Sequence, residues 1–137
     1  MGFVFDEGVC VARMIYGGIL ERFPRLKVCF VHGGGFFPLL IGRWDHGYEV
    51  RPECRKAIPY PPSHYAAKLY FDSITHGPKT LALLIEKAAS GHVLMGSDYP
   101  FDMGESPPGG YIRELLGLGE DERSALLGGN ALRFFQN

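Results

Sequence analysis

Leu26-Lys27-Val28-Cys29-Phe30-Val31-His32-Gly33-Gly34-Gly35 is the stretch on which the reading of the fold turns. Leu26 to Val31 is a short apolar run rich in β-branched and aromatic side chains, the pattern of a strand buried on both faces. It ends in a histidine and three glycines, which let backbone and ligand approach closely. Further along, His92 to Gly96 reads as another strand and runs into Gly96-Ser97-Asp98-Tyr99-Pro100-Phe101, where proline turns the chain just past a carboxylate. Lys68 to Asp72 is a third candidate strand. In parallel α/β sheets, sites are built at the carboxyl ends of strands. His32 and Asp98 both stand at such ends.

Between these runs the pattern is helical. Residues 7–22 are expected to form one helix, with Gly17 and Gly18 inside it packed closely against a sheet and Pro24 ending the segment. Phe36 to Trp44 reads as helix, and residues 51–64, with Pro52, Pro59, Pro61 and Pro62, as a long ordered loop. Leu81, Leu84, Ile85 and Ala88 fall at i, i+3, i+4 and i+7 of a helix closed by Ser90-Gly91. Glu120-Asp121-Glu122 suit a helix N-terminus, and Asn130 suits the cap of a short terminal helix. Alternating helices and strands predict a parallel α/β sheet with helices packed on it.

Composition narrows the function classes. The chain has 137 residues, 46% hydrophobic and 21% charged, with a formal net charge of −1. That describes one globular domain, too short for a closed (β/α)8 barrel of roughly 250 residues. No basic run exceeds Arg55-Lys56, so no nucleic-acid partner is expected. The three cysteines form no C-x-x-C pair, and reduced thiols in a cytoplasmic protein are expected. No apolar stretch approaches the ~18 residues of a membrane span.

Four residues carry the chemistry, each with a plainer reading beside it. His32 has the right side chain for moving a proton at neutral pH, or is a buried histidine satisfied by backbone. Asp98 is placed to ligate a divalent metal, or to cap the turn after its strand. Arg43 could grip a substrate carboxylate through its planar fork, or pair locally with Asp45. His76, past the end of the second strand, lines the pocket or supports it from behind. His32-Gly33-Gly34-Gly35 also suits an esterase oxyanion loop. The required G-x-S-x-G elbow is missing, since Gly104-Glu105-Ser106-Pro107-Pro108 fails at its last position.

Taken in order, Gly18-Ile19-Leu20-Glu21-Arg22-Phe23-Pro24-Arg25-Leu26-Lys27, His32-Gly33-Gly34-Gly35, Gly42-Arg43, His46-Gly47, Arg51-Pro52, Asp72-Ser73-x-x-His76, Gly96-Ser97-Asp98-Tyr99-Pro100-Phe101 and Gly129-Asn130-Ala131 resemble the carboxyl-terminal part of the amidohydrolase-related, metal-dependent decarboxylases. The resemblance implies a distorted (β/α)8 barrel of TIM type, of which this chain supplies strands six to eight with flanking helices. It implies one divalent metal, usually zinc, and a small unsaturated or aromatic carboxylic acid as substrate. By the same resemblance, His32 is the general acid/base beside the metal and Asp98 a metal ligand. Arg43 reaches across a homodimer interface to the substrate carboxylate. The family's His-x-His or Glu-x-His pair and its further histidine ligand are absent, so residues 1–137 are expected to be the carboxyl-terminal part of one barrel domain, inactive alone. A hydrolase of the same fold and a non-catalytic remnant that pairs with another subunit are the alternatives.

Overall fold

The computed structural model describes residues 2–136. It opens with α1 (Gly2–Tyr16) and the short α2 (Ile19–Arg22), then β1 (Cys29–Phe30) and α3 (Phe37–Val50). After α4 (Pro62–Ala66) come β2 (Tyr70–Asp72), α5 (Pro78–Ala88) and β3 (Val93–Leu94). Three short helices close the chain: α6 (Gly110–Glu114), α7 (Glu120–Ser124) and α8 (Asn130–Phe135). The strands form a parallel sheet in the order β1-β2-β3, with Phe30 opposite Phe71 and Phe71 opposite Val93. No helix among the described residues is long and apolar enough to cross a membrane.

Phe71 is the centre of the core. Fully buried on the middle strand, it stacks on Phe37 of α3 at 4.6 Å between ring centroids and on Phe30 of β1 at 6.0 Å. Val11 and Ile15 of α1, Leu81 and Leu84 of α5, and Ile112 and Leu126 complete it, all without solvent exposure. The i, i+3 spacing of α5 thus buries Leu81, Leu84 and Ala88 on one face, as its sequence requires.

Several expectations need correction. The predicted helix over 7–22 is broken at the glycine pair, because Gly18 takes φ +67° and runs against the carbonyl of Ala57. A Cβ on Gly18 would meet that oxygen at 2.5 Å, so Gly18 accommodates the 51–64 segment and not the sheet. That segment is itself partly regular, with a 3-10 turn at Pro52–Arg55 and α4 started by its prolines. The strands are shorter than their apolar runs. Asn130 is no cap: it opens α8 completely buried, behind a π-turn at Ala125–Gly129. Its Nδ2 donates to the carbonyls of Ser90 (2.6 Å) and Val93 (2.7 Å), tying the last helix to the start of β3.

Candidate active site

Each strand delivers its chemistry through the same backbone step. His32 beyond β1, His76 beyond β2 and Asp98 beyond β3 adopt φ of +50°, +51° and +56°. Non-glycine residues are uncommon in this left-handed region, and strain of this kind concentrates at functional sites. After His32 the chain winds through a 3-10 turn, His32–Gly34, and Gly35 at φ +65° passes directly beneath α1. A Cβ there would lie 2.0 Å from the carbonyl oxygen of Val4, so only glycine fits.

These turns bring His32 and Asp98 together. Nε2 of His32 lies 3.7 Å from Oδ1 of Asp98, with the two side chains 24% and 18% exposed. The other ring nitrogen is held by a residue that sequence reading missed: Nδ1 of His32 is 2.7 Å from Oε1 of Glu7 on α1. Oε2 of Glu7 is buried and has no hydrogen-bond partner among the described residues. Asp72 lies beneath the pair at the end of β2, its Oδ1 accepting from the amides of Gly33 (3.0 Å) and Ile74 (3.1 Å). The turn after Asp98 needs nothing from that carboxylate. Ser97 Oγ accepts the Tyr99 amide at 3.3 Å, and the Asp98 carbonyl accepts from Phe101.

Clustered acids shape the electrostatics. Burial pulls the pKa of His32 down, but the hydrogen bond and charge of Glu7, reinforced by Asp72 and Asp98, leave it above its ordinary value. Burial pushes the Glu7 carboxyl up, only partly offset by His32. Burial also raises Asp72, against the lowering effect of the amides it accepts from. An imidazole with carboxylates on both sides is stabilised in its protonated form, which suits it to accept and return a proton.

Arg43 and His76 stand apart. Arg43 is exposed on α3, and the local pair with Asp45 does not form; Asp45 Oδ1 instead accepts the Ser63 amide at 2.9 Å. His76 is exposed, its ring edge-on to Tyr111 at 6.3 Å. Neither makes a hydrogen bond or ion pair with His32 or Asp98 among the described residues. A cleft of about 940 Å³ lies at the opposite ends of the strands, near Lys27, Lys68 and His92. It includes none of the clustered groups, and the chemistry is not there.

The donors for a metal are incomplete. Among the described residues no group of three or more His, Cys, Asp or Glu side chains is placed to hold a metal ion. Zinc takes three protein ligands and an open position, so Asp98 and its neighbours do not fit it by themselves. Glu7 carried no signal at a strand end. It sits in a helical run, and only the fold reveals its proximity to His32.

Residues 9–136 match the amidohydrolase family. This chain belongs to it. The amidohydrolase chain is 41% identical over 135 residues to a Dictyostelium discoideum 2-amino-3-carboxymuconate-6-semialdehyde decarboxylase, covering 98% of itself and 38% of that protein. It superimposes on the 5-carboxyvanillate decarboxylase LigW of Sphingomonas paucimobilis with a TM-score of 0.77 at 30% identity, over 90% of this chain and 38% of that one. A dihydroxybenzoic acid decarboxylase from Polaromonas, solved with bound manganese, shares the fold at a TM-score of 0.79 and 21% identity, covering 93% and 39%. The chain therefore spans about two fifths of the length of these relatives. Its three-stranded sheet is a portion of the TIM-type barrel of amidohydrolase-fold enzymes.

Proposed function

We propose that this chain forms the carboxyl-terminal portion, residues 1–137 as one piece of a single barrel domain, of a divalent-metal-dependent, non-oxidative decarboxylase. Its substrate is a small unsaturated or aromatic carboxylic acid, 2-amino-3-carboxymuconate 6-semialdehyde being the type suggested by the relative from Dictyostelium. The single observation that carries the reading is the approach of His32 Nε2 to Asp98 Oδ1, 3.7 Å across an intervening strand. Asp98 is one donor toward the metal, zinc by preference, with the other donors lying outside these residues. The residues described do not complete that site, so no step is assigned to it.

His32 does the proton work. As the bond from carbon to the leaving carboxylate breaks, its electron pair stays on carbon and CO2 departs. The carbon then takes the proton from Nε2 of His32, whose protonated form the neighbouring Glu7, Asp72 and Asp98 favour. Arg43, exposed on α3, grips a substrate carboxylate in the partner copy of a homodimer, and His76 lines the rim. The working compartment is the cytoplasm. The test is CO2 release from the full-length enzyme carrying this segment. His32→Gln lowers kcat by about 10²–10⁴-fold, and the 137-residue chain alone is inert. Ring opening or amide cleavage without CO2 would assign the enzyme to the hydrolases instead.

A further inference from the structure

We infer that Glu7 is a positioning residue for His32: it accepts the Nδ1 proton and so leaves Nε2 as the nitrogen that faces Asp98 and exchanges protons. The inference rests on the reading of His32 as the acid/base group and adds the element that orients it.

The contact is built into the packing. Oε1 of Glu7 lies 2.7 Å from Nδ1, a distance typical of charge-assisted hydrogen bonds. The α1 turn that carries Glu7 is closely packed. Its Val4 carbonyl lies against Gly35, and a Cβ on Gly8, the next residue, would strike the Phe36 ring at 2.6 Å. The turn leaving His32 and the first turns of α1 are therefore packed face to face.

The chemistry follows from the donor inventory. An ionised carboxylate only accepts, so the hydrogen in this bond belongs to Nδ1. The neutral ring then carries its lone pair on Nε2, 3.7 Å from Asp98 Oδ1 and beyond hydrogen-bond range. That nitrogen is uncommitted in the structure and can take a proton. Once it does, Glu7 faces an imidazolium and stabilises it without moving. Which ring nitrogen is protonated is commonly set by the bond the other one makes.

The test reads the tautomer directly. In the full chain labelled with 15N-histidine, the His32 signals are assigned by their loss in His32→Gln and followed with rising pH until they no longer change, where the ring is neutral. The expected spectrum shows a protonated, pyrrole-type Nδ1 and an unprotonated, pyridine-type Nε2. Glu7→Leu abolishes that pattern, and Glu7→Gln, whose amide oxygen still accepts, restores it in part. A pyridine-type Nδ1 in the unmodified chain overturns the inference even if Glu7→Leu fails to fold. So does a folded Glu7→Leu with an unchanged spectrum. None of these outcomes depends on whether CO2 is released. Turnover of the full-length enzyme is a separate readout: Glu7→Leu lowers kcat by about 10–100-fold and leaves KM unchanged.

Discussion

His32 and Asp98 meet over the top of a strand that belongs to neither. β1 and β3 each pair with β2, yet Nε2 of the histidine and Oδ1 of the aspartate are 3.7 Å apart. Asp72, at the end of that middle strand, anchors the turn that makes this approach possible. Its Oδ1 takes the amides of Gly33 and Ile74. Asp72→Ala leaves two amides without their acceptor and is expected to cost about 2–4 kcal/mol. Asp72→Asn keeps an oxygen there and should lose less than half as much. Urea unfolding of the two variants decides it, and equal losses would contradict the anchoring role.

Asn130 is the equivalent tie at the other end of the sheet. Because its Nδ2 serves two carbonyls, Asn130→Ala should destabilise the chain by about 1–3 kcal/mol. Asn130→Asp should do worse, since it turns a carboxylate oxygen toward those same carbonyls. Thermal melts ranking the aspartate above the alanine variant in stability would refute this.

Gly35→Ala is a test of the close fit beneath α1. The added carbon meets the Val4 carbonyl in a backbone conformation that alanine resists. A loss of about 2–5 kcal/mol is expected from strain and overpacking together. Amide hydrogen exchange should show the first turns of α1 opening before the rest of the fold.

Cysteine reactivity supplies a pH-dependent readout. Burial, with the nearby charge of Asp72, pushes the Cys29 thiol up to about 11 from its usual 9.0. A raised folded-state value means that this group's contribution to stability is intact below 9.0 and fades as pH climbs through about 11. Iodoacetamide at pH 8.5 should therefore label exposed Cys10 and spare Cys29 until the chain is unfolded. Peptide mapping by mass spectrometry gives the order. Labelling of Cys29 at the rate of Cys10 in the folded chain would be the wrong order.

Sequence reading succeeds here where local pattern and tertiary role coincide. The parallel α/β order follows from apolar runs alternating with helical periodicity, and His32 and Asp98 stand out because glycine and proline mark the ends of their strands. Glu7 has no such marker. Its role depends on α1 crossing the Gly33-Gly34-Gly35 turn, a contact between elements that local pattern does not encode. Asn130 misleads for a related reason: asparagine before a short helix suits a cap, but the π-turn ahead of it swings the side chain inward to β3. Gly18 shows the same limit, since its close neighbour is Ala57 of the 51–64 segment and not a strand.

The left-handed backbone at positions 32, 76 and 98 has an evolutionary corollary. Apart from glycine, the side chains most at ease in that conformation are asparagine, aspartate and histidine. Two of those three are also among the best metal ligands and proton carriers in the protein alphabet. The geometry of this rim therefore screens its candidates before any reaction does. Drift at these positions should pass through Asn or Gly far more readily than through Val or Ile, even in descendants that no longer catalyse anything.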